Sequence, residues 1–323
     1  MATTVTLPGY TDVCEAYERI RTVVRRTPVI SSSSVSQRAG RRCLFKCENF
    51  QRTGAFKFRG ASNAVAALCE DECARGVATH SSGNHGAALA LAAQSRNVKA
   101  TIVMPENAVA SKRRAVEAYG GVVRLCEATM QARISTLESV VHKDGAVSIP
   151  PYDHPAVIAG QGTAALELLE DIEPPELILT PVGGGGLLSG TALVARELAP
   201  QAAIIGVEPA GADDTRRSFL KGKRVTDVVP DTIADGLRAT VGELTFPLIR
   251  ENVDDIVVVD EDAIIDAMLF VWERMKIVIE PSAAVPVAAL FGSDLRGRGT
   301  AAVIISGGNI DVSTVSDSFS KRT

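Results

Sequence analysis

Four consecutive glycines, Gly183 to Gly186, follow the apolar run Leu177-Ile178-Leu179 and precede an Ala/Leu-rich run from Leu187 to Leu198. Such a run loses backbone entropy and packs no side chain, so it belongs where backbone must come very close to something. At a strand-to-helix junction that something is most often an anion: loop N–H groups and the following helix N-terminus point at it, and the helix dipole adds partial positive charge, whereas a tight turn of backbone on backbone explains one or two glycines better than four. The stretch therefore reads as a phosphate cradle. A second chemical feature is Lys57, set between Phe56 and Phe58, after Thr53-Gly54 and before Gly60. Held among aromatic residues and glycine, its amine is partly desolvated, which favours the neutral, nucleophilic form. Two further polar loops, His80-Ser81-Ser82-Gly83-Asn84-His85 and Ser306-Gly307-Gly308-Asn309, follow apolar runs.

The elements that must position these residues alternate. Apolar positions at helical spacing predict a helix from Asp12 to Val24, ended by Thr27-Pro28, and Ser31 to Ser34 form a polar loop able to cap a short helix. Strands are expected at Arg42–Glu48, Val77–Thr79, Ala100–Met104, Val122–Leu125, Ala146–Ser148, Leu177–Leu179, Ala203–Val207, Ile256–Val259 and Ala302–Ile305. Helices are expected at Ala61–Leu68, Asn84–Gln94, Ala110–Tyr119, Met130–His142, Ala156–Leu169, Leu187–Leu198, Glu261–Met275 and Ser282–Leu290, with Pro209–Asp254 irregular. Short apolar strands separated by helical stretches predict an α/β fold of open, mostly parallel twisted sheets flanked by helices. The units from Val77 to Ser148 suit a smaller sheet, giving a large domain of 1–75 and 151–323 and a small one of 76–150. Ligands in such sheets bind beyond the C-terminal strand ends, where the three polar or glycine-rich loops fall.

Composition narrows the function. The 323 residues are 46 % hydrophobic, 22 % charged and only 4 % aromatic, with net charge −4, which argues against a nucleic-acid binder. No apolar run reaches the ~20 residues needed to span a bilayer, so no membrane partner is expected. The start of the chain has no basic segment followed by an apolar one, so a cytoplasmic protein is expected. Its six cysteines then read as reduced thiols. A zinc site from Cys43, Cys47, Cys69 and Cys73 is disfavoured, because a strand would hold Cys43 and Cys47 roughly 13 Å apart. A nicotinamide-dinucleotide oxidoreductase would use Glu208 on a ribose, but the third glycine of its fingerprint is replaced by Ser189, or by Leu188 in the other frame. Glu208-Pro209-Ala210-Gly211-Ala212-Asp213-Asp214 offers carboxylates and a loop carbonyl, hard ligands suited to Mg²⁺ or Ca²⁺, or alternatively a capping acidic loop.

Gly54-Ala55-Phe56-Lys57-Phe58-Arg59-Gly60, Ser81-Ser82-Gly83-Asn84-His85, Gly183 to Gly186 and Ser306-Gly307-Gly308-Asn309 stand in an order that resembles the serine/threonine dehydratase and serine racemase family, pyridoxal-phosphate enzymes of the tryptophan-synthase-β fold. The resemblance runs from about Tyr17 to Asp311. It implies that Lys57 is the Schiff-base lysine and moves the Cα proton. Gly183, Gly184, Gly185 and Gly186 then hold the cofactor phosphate, Asn84 the ring hydroxyl oxygen, and Ser306 faces the pyridine nitrogen. A neutral hydroxyl does not hold that nitrogen protonated as an aspartate would, so transamination is disfavoured. The resemblance also implies that Ser81, Ser82, Asn84 and His85 surround an amino-acid carboxylate and that Arg133 pairs with it, the alternative for Arg133 being a solvated helix arginine.

Within the family, racemisation needs an acid/base group on each face of Cα. Lys57 is one and Ser82 the other; threonine dehydratases usually carry alanine at the second position and often append a regulatory domain, whereas this chain ends at Thr323. The resemblance thus implies serine racemisation with serine dehydration alongside. A hydroxyaspartate or threonine dehydratase is the alternative, and a non-catalytic protein that keeps the cofactor fold is a distant one. It also implies a divalent cation (Mg²⁺, or Ca²⁺ or Mn²⁺) on Glu208, the Ala212 carbonyl and Asp214, and a homodimer. Arg52, Lys112 and Asn309 match part of the surface that takes ATP as an effector, with Arg52 standing where a lysine is usual.

Overall fold

The computed structural model describes residues 6–311 other than 296. A six-stranded sheet has the order β1-β2-β10-β7-β8-β9, with β1 Val29–Ser31, β2 Cys43–Cys47, β7 Leu177–Pro181, β8 Ala203–Pro209, β9 Asp255–Val259 and β10 Ala301–Ile305. All neighbours are parallel except β1 and β2. A second sheet, β5-β4-β3-β6, is parallel throughout, from β3 Val77–His80, β4 Ala100–Pro105, β5 Val122–Cys126 and β6 Val147–Ser148. These are the two sheets expected from the strand spacing.

Alternation explains why the central strands β7 and β10 are largely apolar. In β7, Leu177 and Leu179 enter one core and Ile178 the other; in β10, Ala301, Val303 and Ile305 oppose Ala302 and Ile304. Both faces are covered by helices, so both sets of side chains leave water. One face packs on α2 Ser33–Ala39, α12 Glu261–Met275 and α13 Pro281–Gly292; the other on α1 Tyr10–Ile20, α8 Pro155–Asp171, α9 Gly186–Leu198 and α11 Thr245–Asn252. The smaller sheet is flanked by α3 Lys57–Ala66, α5 Asn84–Gln94, α6 Ala110–Ala118 and α7 Met130–Asp144. The short α4 Glu70–Arg75 precedes β3, and α10 Asp214–Lys221 follows β8.

Several departures from the sequence expectation have tertiary causes. Helix α3 starts at Lys57, not Ala61, because Phe58 and Arg59 are buried and Gly60 abuts α8: a Cβ on Gly160 would lie 2.7 Å from the Gly60 Cα. Packing thus overrides the poor helix propensity of glycine. Val29–Ser31 is a strand because its backbone pairs antiparallel with Leu44–Lys46, while Ser32 caps α2 as expected. The stretch Pro209–Asp254, expected to be irregular, holds α10 and α11.

The start of α3 is also pinned electrostatically. Arg59 binds Glu48 at the end of β2 (2.7 Å) and Glu167 on α8 (2.7 Å), and Lys46 on β2 reaches Glu167 at 2.7 Å, all four being buried. Two positive and two negative side chains cancel. Removing one partner leaves a buried charge unpaired, which is strongly destabilising, so the four residues hold β2, α3 and α8 in one register.

Candidate active site

The polar loops meet at the C-terminal edges of the strands. The Phe56 N–H donates to the Ser306 carbonyl (2.9 Å), the Gly308 N–H donates to the Gly54 carbonyl (2.9 Å), and Ala55 bridges Gly307. Asn309 Nδ2 donates to the Thr53 carbonyl (2.6 Å) and to Asn84 Oδ1 (3.0 Å). Asn84 Nδ2 in turn donates to both Glu280 carboxylate oxygens, at 2.9 and 3.1 Å. One hydrogen-bonded chain, Thr53–Asn309–Asn84–Glu280, therefore joins the lysine loop, the Ser306 loop and the N-terminus of α5.

Lys57 opens α3 and its Nζ donates to the Pro151 carbonyl at 2.8 Å, lying 5.0 Å from the centre of the Phe56 ring. Desolvation lowers its ammonium to about 8, opposed by the negative charge of Glu280. Glu280 is itself pushed up to about 7 by burial. The amine is thus far more available in neutral form than an ordinary lysine. In the cofactor-free protein, covalent capture of an aldehyde at Lys57 should rise with pH to a half-point near 8, where a free lysine would need a pH above 10. Glu280→Gln removes an attractive charge and should move that half-point downward; a pH–rate profile of aldehyde incorporation measures both.

In the Ser81–His85 loop, Ser81 Oγ accepts from the Gly83 N–H (3.3 Å) and the Gly86 N–H (3.1 Å), so it shapes the turn that presents Ser82. Ser82 is partly exposed ahead of Asn84, the first residue of α5. His85 is buried, with Nε2 2.9 Å from the Ile149 carbonyl and Nδ1 without a partner. Burial first, and the charge of Lys57 second, hold its pKa down to about 3, so the ring is neutral and contributes an N–H and a lone pair, not a charge. Arg133 sits on the first turn of α7; its charge acts on His80, the residue before Ser81, and its buried Nε has no partner.

The glycine run forms the turn into α9. Gly185 has φ +91, a left-handed conformation that side chains rarely adopt, and a Cβ there would meet the Thr245 Cβ at 2.8 Å. A Cβ on Gly184 would meet the Tyr152 ring at 2.4 Å, and one on Gly183 would lie 2.9 Å from the Leu237 Cα. The run is tightly enclosed, and α9 begins at Gly186 with its first N–H groups free for a ligand. Ser306 Oγ is buried and without a partner. An anion cradle at a helix N-terminus, a buried amine of low basicity and an orphaned hydroxyl fit the phosphate, aldehyde and ring nitrogen of pyridoxal phosphate, and the Asn84 amide would meet the ring hydroxyl by giving up a contact to Glu280.

The acidic loop is a separate site. Glu208, at the end of β8, accepts from the Thr215 N–H (3.1 Å) and the Arg216 N–H (2.8 Å), while Asp214 accepts from the Val241 N–H (2.8 Å). Both carboxylates are buried, and Ala212 lies buried in the turn between them. Burial and the neighbouring Asp214 push Glu208 up to about 8; burial pushes Asp214 up to about 6. Two buried carboxylates with unspent lone pairs fit a hard cation. Among the described residues no group of three or more His, Cys, Asp or Glu converges, and the cysteines are free thiols, so no four-thiolate site forms.

The structure does not gather Arg52, Lys112 and Asn309 into one cluster of free side chains. Arg52 donates to the Val23 carbonyl (3.1 Å) and stacks over Phe58, Lys112 pairs with Asp235, and Asn309 serves the chain described above. Sequence reasoning missed Glu280, Tyr152 and Thr245, which touch the asparagine or the glycine run, and Asp153, which binds the Thr245 N–H. Only Glu280-Pro281-Ser282, an acid ahead of a helix-opening proline, carried a local signal.

A model of the family described as Pyridoxal-phosphate dependent enzyme matches residues 20–307. The chain is 49 % identical to "Serine racemase" of Dictyostelium discoideum over 97 % of each chain. It is 47 % identical to "L-threo-3-hydroxyaspartate ammonia-lyase" of Saccharomyces cerevisiae, covering 95 % of this chain and 94 % of the other. Among solved structures it is similar to maize serine racemase, with a TM-score of 0.94, 44 % identity and 98 % of each chain covered.

Proposed function

Because the chain belongs to the family of pyridoxal-phosphate-dependent enzymes, we propose that it interconverts L- and D-serine and also dehydrates serine to pyruvate and ammonia. One observation carries this reading: the Thr53–Asn309–Asn84–Glu280 chain draws the loop bearing Ser82 against the loop bearing Lys57. When bound, the cofactor withdraws electrons from Cα and so weakens its C–H bond. Gly183 to Gly186 and the start of α9 hold its phosphate, Lys57 joins it covalently, Asn84 meets the ring hydroxyl and Ser306 the ring nitrogen.

The substrate carboxylate lies at the N-terminus of α5, with Ser81, Ser82, Asn84, His85 and Arg133 around it. Lys57 Nζ takes the Cα proton from one face, and Ser82 Oγ delivers one to the other. If the β-hydroxyl leaves after the first transfer, water is lost and then regained as the enamine hydrolyses, giving pyruvate and ammonia. In this reading the large cofactor-binding domain is 1–75 and 151–323, with residues 1–5, 296 and 312–323 outside those described, and the small domain is 76–150.

The accompanying features follow. A divalent cation, Mg²⁺ or a close substitute, sits on Glu208, the Ala212 carbonyl and Asp214. Adding Mg²⁺ to chelator-treated protein should raise the melting midpoint, since binding to the folded state alone stabilises it, and Glu208→Gln should remove the rise. ATP as an effector belongs to the same reading through Arg52, Lys112 and Asn309, each of which would leave a contact within its own chain. A second copy would cover Phe50 and Val278, apolar, exposed and tied together by the Asn49–Val278 hydrogen bond (3.2 Å), giving a homodimer. Free cysteines suit a reducing compartment, and we place the protein in the cytoplasm; no helix among the described residues is long and apolar enough to cross a membrane.

The test is L-serine with purified holoenzyme and Mg²⁺, with D-serine read by chiral chromatography and pyruvate read in parallel. D-serine supports the reading; pyruvate alone makes the protein a dehydratase. The similarity to the yeast hydroxyaspartate ammonia-lyase favours that second reading specifically for 3-hydroxyaspartate, so this substrate and threonine complete the assay.

A further inference from the structure

Residues 149–153 carry the chain from β6 back to α8, and three of the five touch different parts of the site. The Ile149 carbonyl meets His85 of the substrate loop (2.9 Å), and the Pro151 carbonyl accepts from Lys57 Nζ (2.8 Å). The Tyr152 ring lies against Gly184, and its Cβ would be 3.1 Å from a Cβ placed on Gly186. Asp153 turns the other way. Its Oδ2 accepts from the Glu243 N–H (2.8 Å), and its Oδ1 from the Leu244 N–H (2.9 Å) and the Thr245 N–H (3.2 Å). Helix α11 has no cap from its own Leu244 side chain, so Asp153, some ninety residues away, supplies it.

What Asp153 fixes is Thr245, and Thr245 reaches the glycine run. The buried Thr245 Oγ1 donates to the Gly184 carbonyl (2.7 Å) and accepts from the Gly242 N–H (2.9 Å), which also approaches the Gly184 carbonyl (3.3 Å). Gly242 leaves room for the carboxylate: a Cβ there would fall 2.2 Å from Asp153 Oδ1. The peptide between Gly184 and Gly185 is thereby clamped by its oxygen. Since a peptide is planar, fixing the oxygen also fixes the direction of the Gly185 N–H on the other side.

We propose that Asp153 is a positioning residue for the phosphate cradle. Through the N-terminus of α11 and the Thr245 hydroxyl, it sets the Gly184–Gly185 peptide and hence the aim of the N–H that meets the cofactor phosphate. The strap that carries Asp153 also holds Lys57 through Pro151, so one short segment gauges the spacing between the amine and the cradle, which must grip opposite ends of one molecule. This inference rests on the family's cofactor and not on the choice between racemase and dehydratase.

The test measures pyridoxal-phosphate dissociation by absorbance titration without substrate, together with the ³¹P chemical shift of the bound cofactor. Asp153→Ala is expected to weaken cofactor binding at least about tenfold, in line with loss of hydrogen bonds to a charged group, and to move the ³¹P resonance. Asp153→Asn keeps one acceptor oxygen and should recover part of the affinity and of the shift. Thr245→Val leaves the Asp153 acceptors in place and should shift the resonance in the same direction, and the double variant should lose less than the sum of the singles. The proposal is overturned if Asp153→Ala binds within about twofold of wild type with an unmoved resonance, or if the two losses simply add. Should Asp153→Ala fail to fold, Asp153→Asn decides: an unmoved resonance and unchanged affinity in that variant and in Thr245→Val overturn it. Wild-type protein that bound no pyridoxal phosphate would instead strike at the family's cofactor.

Discussion

Lys57→Ala is expected to lose both racemisation and dehydration of serine by at least about a thousandfold, since covalent attachment and proton transfer at Cα go together. The fold should survive. The ammonium donates a hydrogen bond to the Pro151 carbonyl, and burial disfavours its charge. Its folded pKa, about 8, lies below the ordinary lysine value. The protonated amine therefore opposes folding fully below about pH 8, and the opposition fades as pH rises toward the unfolded value. In the cofactor-free state Lys57→Ala should melt no lower than wild type at pH 7, and the difference should shrink at pH 10. Turnover at the wild-type rate, or a collapse in melting temperature, contradicts this assignment.

Ser82→Ala should separate the two activities. Racemisation needs a proton delivered to the face opposite Lys57, and loss of that donor is expected to lower the rate by at least about a hundredfold. Dehydration of L-serine needs only the first proton transfer and departure of the hydroxyl, so it should fall by less than about threefold. The loop itself is held by Ser81, whose hydroxyl accepts from the Gly83 and Gly86 N–H groups, and by Asn84 on Glu280, so removing the Ser82 hydroxyl leaves the turn intact. Equal loss of both activities would mean that Ser82 binds substrate and moves no proton.

Much of this site is legible in the chain because its chemistry is local. The glycine run, Lys57 between two phenylalanines, the Asn84 loop and the Ser306 loop are contiguous stretches, and each lies beyond the end of a largely apolar strand. What escapes is set by contacts distant in sequence. Nothing in Tyr152-Asp153-His154 distinguishes Asp153 from a solvated loop acid until the fold brings α11 to it across ninety residues. Glu280 reads as a helix-start carboxylate until Asn84 reaches it. Helix α3 begins at Lys57 because Arg59 and Gly60 are held by Glu48, Glu167 and α8, against the local propensity of a glycine-containing turn. The burial of Glu208 and Asp214 is likewise a property of the packed turn; in sequence they are two acids in a polar loop.

The most direct measurement is the fate of the Cα hydrogen when L-serine is turned over in D₂O. Lys57 and Ser82 acting from opposite faces should give D-serine that carries solvent deuterium at Cα from the first turnovers, while the remaining L-serine keeps its protium. D-serine that retained the original hydrogen would mean one group serves both faces, and deuterated pyruvate with no D-serine would mean that the second face has no proton donor.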